Sequence, residues 1–242
     1  KGPAGRFVAA VMECSPFLRG LMLDDPAGLL ALLKADPAAH LATVVARIGK
    51  AWRDTSEADL KATLRRGRQE VALLTALADL GGLWDVPTVT AGLTAFADAA
   101  VGAAVRFILA EAAEAGTLTL PDPGKPDERS GWIILGMGKF GAGELNYSSD
   151  IDLIVLFDRD VIQIPGERDA TTVFVKLTKK LVAILNERTV DGYVFRTDLR
   201  LRPDPGTTNI AMSTDAALQY YESLGQNWER AALIKARPVA GD

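Results

Sequence analysis

The stretch from Gly131 to Asp158, GWIILGMGKFGAGELNYSSDIDLIVLFD, limits most strongly how this chain can fold. An apolar run, Trp132 to Leu135, enters a loop carrying Gly136, Gly138, Gly141 and Gly143, with Lys139 among the glycines. After Ser148 and Ser149, two carboxylates spaced two apart, Asp150 and Asp152, open a second apolar run from Ile151 to Phe157. Two short apolar runs separated by glycines read as strands, over 132–136 and about 150–157. In an extended strand residues i and i+2 share a face, so both carboxylates converge on one point. A glycine loop able to approach phosphate, beside paired oxygen ligands for a hard cation, reads as a phosphoryl-chemistry site.

Three phosphate motifs compete for this loop. Gly136-Met137-Gly138-Lys139-Phe140-Gly141 fits G-x-G-x-x-G, with Asp158 about twenty residues on, as a dinucleotide fold wants. That fingerprint needs a helix opening from its third glycine, whereas GAGELNYSSD offers more glycine, then serines, then a strand. A Walker loop is excluded because Lys139 is followed by Phe140 rather than Ser or Thr. The remaining reading is a nucleotidyltransferase, in which a glycine-rich turn holds the triphosphate and an Asp-x-Asp pair on the next strand binds magnesium.

An isolated Asp-x-Asp is usually surface decoration. Here the pair opens a strand that is otherwise almost wholly apolar, and carboxylates bordering a buried strand need compensation, which a metal supplies. Asp198, on a further predicted strand from Tyr193 to Arg202, offers a third ligand; a pair of metals could clamp the attacking and leaving oxygens. That strand's odd positions are mostly apolar, and its even positions carry Arg196, Asp198, Arg200 and Arg202. Such clustered like charge suits a bound polyphosphate, although Arg200 and Arg202 could equally do no more than pair with Asp198. Lys139 is either a solvated loop lysine or, given its place among the glycines, a phosphate contact. Ser148 and Ser149 serve equally well as turn residues or phosphate ligands.

The rest of the chain reads as scaffold. Residues 1 to about 120 are helical throughout: one helix after Pro26, a second from near Ala38, and a third capped by Ser56 and Asp59 and stopped at Gly81-Gly82. A fourth opens at Thr90, its buried stripe marked by Leu93, Phe96, Ala100, Ala104 and Phe107. The runs Arg65 to Arg68 and Glu111 to Glu114 read as solvated faces. TLTLPDPGKPDERS, residues 117–130, reads as a boundary or exposed loop, dividing a helical bundle region (1–120) from a nucleotidyltransferase domain (121–242). A helix over about 169–188 and a last one over roughly 215–236, burying Tyr221, Leu224, Trp228 and Ala231, complete an α+β chain with a small mixed sheet.

Composition narrows the function classes. A net charge of −4 argues against a nucleic-acid partner. One cysteine, Cys14, forms no internal disulfide, and the single histidine, His40, reads as a surface or capping residue. Serine–histidine or cysteine–histidine nucleophilic schemes are therefore poorly supported. No apolar run reads as long enough to span a bilayer and no signal peptide is evident, so no membrane partner and a cytoplasmic location are expected. The chain stops directly after a helical pattern and reads as a fragment of a longer protein.

Three phrases resemble one family closely: G-x-G-K-x-G-x-x-E-L-N-x-S-S-D-I-D-L, then Y-V-F-R-T-D-L-R-L-R-P, then W-E-R-x-A-L-I-K-A-R-P-V-A-G-D. Together they resemble the bifunctional glutamine synthetase adenylyltransferases/deadenylylases and cover residues 131–242; the helical lead, with SPFL at Ser15 to Leu18, is similar but less diagnostic. The resemblance implies a nucleotidyltransferase domain related to DNA polymerase β, with Mg2+ held by Asp150, Asp152 and Asp198. It implies phosphates held by the Gly136–Gly143 loop, which includes Gly136, Gly138, Lys139 and Gly141, together with Ser149; the charged face of the 193–202 segment adds Arg200 and Arg202 as candidate phosphate contacts. It further implies ATP, ADP and phosphate as ligands, and glutamine synthetase and the PII signalling protein as partners. The phrases look more like the N-terminal, deadenylylating half, which removes AMP by phosphorolysis. Forward adenylyl transfer from ATP and a non-catalytic nucleotide-binding regulatory module are the alternatives, and a polymerase or tRNA-modifying enzyme is more distant.

Overall fold

The computed structural model describes residues 2–242. Four short helices lead the chain: α1 (Pro3–Cys14), α2 (Pro16–Asp24), α3 (Pro26–Leu32) and α4 (Pro37–Gly49). Each starts on proline, whose fixed φ suits a first helical turn and whose missing N–H would have gone unpaired there. Ser15, Asp25 and Asp36 cap the last three by accepting from the backbone N–H of Leu18, Gly28 and Ala39. The sequence reading placed a helix after Pro26 and missed the two before it as separate elements.

Two long helices form the centre, α5 (Glu57–Leu80) and α6 (Val86–Glu114). Ser56 caps α5, but the Asp59 carboxylate returns to the Ser56 hydroxyl rather than to its backbone N–H, so the capping box is only half made. α6 starts four residues before the expected Thr90, because Asp85 accepts from the Thr88 N–H. Packed by α4, α5, the later helix α8 (Ala170–Asn186) and the sheet, α6 is buried on most sides, with small residues such as Ala97, Ala100 and Ala104 allowing close approach. By length and composition it could cross a membrane, contrary to the sequence expectation, yet 67% of its most apolar window is buried inside the protein. It is a core helix.

The run Arg65 to Arg68, expected as a solvated face, is exposed only at Arg66. Arg65 is fully buried (0% exposed), donating from Nη1 to the Lys61 carbonyl, from Nε to the Gly192 carbonyl (both 2.9 Å) and from Nη2 to that of Glu187. The turn after α8 leaves the Glu187 carbonyl open, and the same guanidinium satisfies it and adds a second donor to the Gly192 carbonyl, which also accepts from the Thr189 N–H at 2.8 Å. Arg68 lies over the Tyr193 ring. Glu111 is exposed but pairs with Lys180. In the 117–130 segment, Leu118 and Leu120 are buried in the main core, while most of 121–129 is exposed.

The sheet is mixed and small. β1 (Trp132–Met137) lies antiparallel to both β2 (Ile151–Phe157) and the chain-terminal β5 (Arg237–Gly241), while β3 (Thr197–Asp198) and β4 (Met212–Ser213) run parallel to different ends of β2. A dinucleotide fold requires its glycine loop to lead through a helix to a parallel neighbour; here the loop returns as an antiparallel strand. One hydrophobic cluster runs from Val44 and Leu60 through α6 to Trp132, Phe157, Phe174 and Val194. The chain is α+β.

Two expectations fail in the last fifty residues or so. The strand from Tyr193 to Arg202 shrinks to Thr197–Asp198. Consecutive Val194 and Phe195 are both buried, and both of their N–H groups turn to the Leu185 carbonyl at the end of α8, which breaks the alternation. The last helix divides into α9 (Thr214–Ser223) and α10 (Asn227–Ala232), followed by a 3-10 turn at Leu233–Lys235. Gln226 and Glu229 form a capping box that starts α10 afresh after Gly225. Leu224 (71% exposed) and Trp228 (52%) face outward, Tyr221 is half-buried, and the buried group is the Glu229 carboxylate, which accepts from Tyr220 Oη at 3.0 Å.

Candidate active site

β1 delivers the chain into a single helical turn, α7 (Gly138–Gly141). Three glycines are needed there for separate reasons. Gly136 sits under the Phe140 ring and Val239; a β-carbon would come within 2.9 Å and 2.7 Å of them. Gly138 has φ +54°, and a β-carbon would sit 3.0 Å from Asp152 Oδ2, so the turn lies directly against that carboxylate. Gly141 admits the backbone of the 3-10 turn; a β-carbon would fall 1.8 Å from the Lys235 carbonyl oxygen. Lys139 is exposed on this turn and joins no ion pair among the described residues.

The chain then reaches β2 through an Asx turn. Asn146 Oδ1 accepts from the Ser148 N–H at 3.2 Å and from Ser149 Oγ at 2.8 Å. Ser149 is thus a turn residue in this arrangement. Asp150 follows, its Oδ1 accepting from Arg196 Nε at 2.6 Å, while Arg196 Nη2 also reaches the Ser148 carbonyl at 3.1 Å.

Asp152 occupies the second position of β2, opposite Met137 of β1 and in register with Asp198 of β3. In-register residues on adjacent strands project from one face, so Asp152 and Asp198 are brought together. Their surroundings differ. Asp198 accepts a fork from Arg200, Nε to Oδ1 at 3.0 Å and Nη2 to Oδ2 at 2.5 Å, plus the Arg200 backbone N–H at 2.8 Å; these bonds hold its carboxyl below the usual range. The Asp152 carboxylate accepts no hydrogen bond among the described residues. Partial burial, then the charges of Asp198 and Asp150, push its carboxyl up, and Arg200 offsets this in part.

A half-buried carboxylate against two like charges is the arrangement a cation relieves. Among the described residues no three acidic, histidine or cysteine side chains form a ready metal cage, since Asp150 and Asp198 are turned toward Arg196 and Arg200. The donors are all oxygen, and Asp152 stands without a donor, so the set fits a hard divalent cation. Arg202 is engaged elsewhere: Nη1 donates to the Leu199 carbonyl (2.8 Å) and Nη2 to that of Pro205 (2.7 Å), which stiffens the loop after β3. Two contributors escaped the sequence reading. Asp98 and Arg237 meet at 2.9 Å behind the glycine turn, and their separation in sequence left no local pattern to find.

The helical lead, the antiparallel hairpin with its glycine turn and the Asp152–Asp198 pair define a nucleotidyltransferase-like α+β protein. Residues 6–242 match the model of the glutamate–ammonia ligase adenylyltransferase family, and the chain belongs to that family. It is 54% identical over 243 residues to the bifunctional glutamine synthetase adenylyltransferase/adenylyl-removing enzyme of Xanthobacter autotrophicus, covering 100% of this chain and 25% of the relative. The enzymes of the same name from Bradyrhizobium diazoefficiens and Brucella suis are 50% and 49% identical, each over 99% of this chain and 24% of their own length. The chain therefore spans about a quarter of the length of the curated relatives it matches.

Proposed function

We propose that this chain is a metal-dependent nucleotidyltransferase that removes AMP from adenylylated glutamine synthetase by phosphorolysis. Inorganic phosphate attacks the adenylyl phosphorus, the bond to the tyrosine oxygen breaks, and the products are ADP and free tyrosine, whose oxygen recovers a proton. The observation carrying this reading is the unpartnered Asp152 carboxylate, in register with Asp198 and against Gly138 of the glycine turn. The removing direction draws its support from D-L-R-L-R-P and W-E-R-A-A-L-I-K-A-R, residues 198–203 and 228–237, which look like the deadenylylating half.

In this reading Asp150, Asp152 and Asp198 would hold Mg2+, which when bound would offset charge on the phosphate oxygens of the adenylyl group in transfer. The chain's own work is positioning. The turn from Gly136 to Gly141 lets phosphate oxygens approach the backbone closely, and Lys139 and Ser149 flank that approach. Arg200, its side chain 84% exposed and bonded to Asp198 alone among the described residues, could turn to a phosphate once a cation takes that carboxylate. Glutamine synthetase is the protein substrate, the PII signalling protein the regulatory partner, and the cytoplasm the location, a reducing compartment suited to the exposed free Cys14.

Purified chain is assayed two ways: adenylylated glutamine synthetase with phosphate, and unmodified synthetase with ATP. ADP release in the first supports removal. Activity only in the second reverses the direction, and activity in neither leaves a nucleotide-binding regulatory module.

A further inference from the structure

The strand that closes the sheet grips the glycine turn from behind. Arg237, the first residue of β5, donates from Nη2 to Asp98 Oδ1 at 2.9 Å and to the Phe140 carbonyl at 3.3 Å, and from Nε to the Gly141 carbonyl at 3.3 Å. Its guanidinium also lies 5.7 Å from the Phe140 ring centroid. Both carbonyls stand at the C-terminal end of α7; that of Phe140 also accepts from the Gly143 N–H at 3.2 Å, and that of Gly141 has Arg237 as its donor among the described residues. Two residues earlier, the Lys235 carbonyl presses against Gly141, and Lys235 Nζ pairs with Glu144 at 3.0 Å. The other end of the same turn, Gly138, rests on Asp152.

Asp98 has no local reason to be where it is. It projects from α6 between buried Ala97 and Ala100, and Arg237 is its ion-pair partner among the described residues. Burial pushes its carboxyl up, and the Arg237 guanidinium draws it back in part. Removing either partner strands the other's charge at a half-buried place.

We infer that Arg237, oriented by Asp98 of the central helix, is a positioning residue that sets the glycine turn against Asp152. A connected path follows, from α6 through Asp98 and Arg237 to the carbonyls of Phe140 and Gly141, then through Gly138 to the carboxylate site. This ion pair joins α6 to the site beside two other links, the Leu145 N–H to Thr94 Oγ1 and Tyr147 Oη to Asp79, both at 3.3 Å. A lysine could keep the charge against Asp98, but a single ammonium cannot reproduce the planar fork that serves Asp98 and two carbonyls together. This inference rests on the adenylyl-removing reading of the site.

The test compares the full chain with Arg237→Lys, Arg237→Ala, Asp98→Asn and Asp152→Asn. Three quantities are measured: ADP affinity by calorimetry in Mg2+, ADP release from adenylylated glutamine synthetase at varied phosphate, and the melting curve. Arg237→Lys is expected to melt near wild type yet bind ADP about tenfold more weakly, a loss the size of a charged hydrogen bond. Its kcat/KM for phosphate should fall roughly a hundredfold, the cost of about an ångström of misplacement. Asp98→Asn, which still accepts from Arg237, should show a smaller loss of the same kind. If Arg237→Lys and Asp98→Asn lower only the melting temperature and leave ADP affinity and turnover at wild-type values, the residue is merely structural and the inference is overturned. Should Arg237→Ala fail to fold, the lysine and asparagine variants still decide. Wild-type protein that releases no ADP, whatever the phosphate level, overturns the underlying reading instead. Turnover lost in Asp152→Asn but intact in Arg237→Lys overturns this inference alone.

Discussion

Gly141→Ala isolates the close approach on which the site depends. The added β-carbon would lie 1.8 Å from the Lys235 carbonyl oxygen and 2.4 Å from that of Gly136. Both obstacles are backbone, so no side chain can rotate aside. Gly136 is fixed in β1 between β2 and β5, and Lys235 belongs to the 3-10 turn that enters β5. One backbone must retreat by more than about 1 Å, which puts the cost at or above the upper end of ordinary overpacking, about 3 kcal/mol. Gly143→Ala is the matched control: its φ is +77° but nothing lies within 4 Å of a β-carbon there, so the cost is the left-handed conformation alone, about 1–2 kcal/mol. At this chain length each kcal/mol moves the melting temperature by about 2–4 °C, so drops of roughly 6–12 °C and 2–8 °C are expected. Scanning calorimetry with urea unfolding measures both. Equal costs for the two variants, or a Gly141→Ala cost below about 1 kcal/mol, would refute the close approach of the 3-10 turn to α7.

Other predictions concern charge. Asp152 has a raised carboxyl pKa in the folded chain, so its contribution to stability is present at low pH and is lost as pH rises through the folded value. Asp152→Asn should therefore stabilise the chain at neutral pH while abolishing turnover, and the gain should shrink toward pH 4; a pH-independent gain in urea unfolding would count against the like-charge explanation. Arg65→Ala removes a buried donor from the carbonyls of Lys61, Glu187 and Gly192 and leaves that of Glu187 without a donor among the described residues, at a cost of about 1–3 kcal/mol. Arg65→Lys should restore only part of this, as urea unfolding would show, and full restoration would mean that charge alone, rather than the fork, holds the turn.

The hairpin was legible because two apolar runs around a glycine loop permit few folds, and Asp150 and Asp152 stood out against an apolar strand. The family was legible for the same reason, since its longest phrase is that hairpin. What could not be read depended on distant partners. Arg65 looked like one of a run of surface cations because the carbonyls that bury it lie beyond α8, more than a hundred residues on. The alternation of residues 193–202 came from arginines and a carboxylate serving a loop and a site rather than from a pleated strand, so the expected strand kept only two residues. The break at Gly225 did have a local signal, Gln226 followed by Glu229, but the apolar spacing of Tyr221, Leu224 and Trp228 outweighed it in the reading. Those apolar residues turned out to lie largely at the surface.

The proposed adenylyl site is tested most directly by one comparison. Adenylylated glutamine synthetase, inorganic phosphate and Mg2+ are incubated with wild-type chain and with the Asp150→Asn/Asp152→Asn double variant, and ADP is quantified over time. The carboxylate site requires ADP from the wild type and a loss of at least about a thousandfold in the variant, with the variant folded by melting curve. Equal ADP release from both proteins would contradict it.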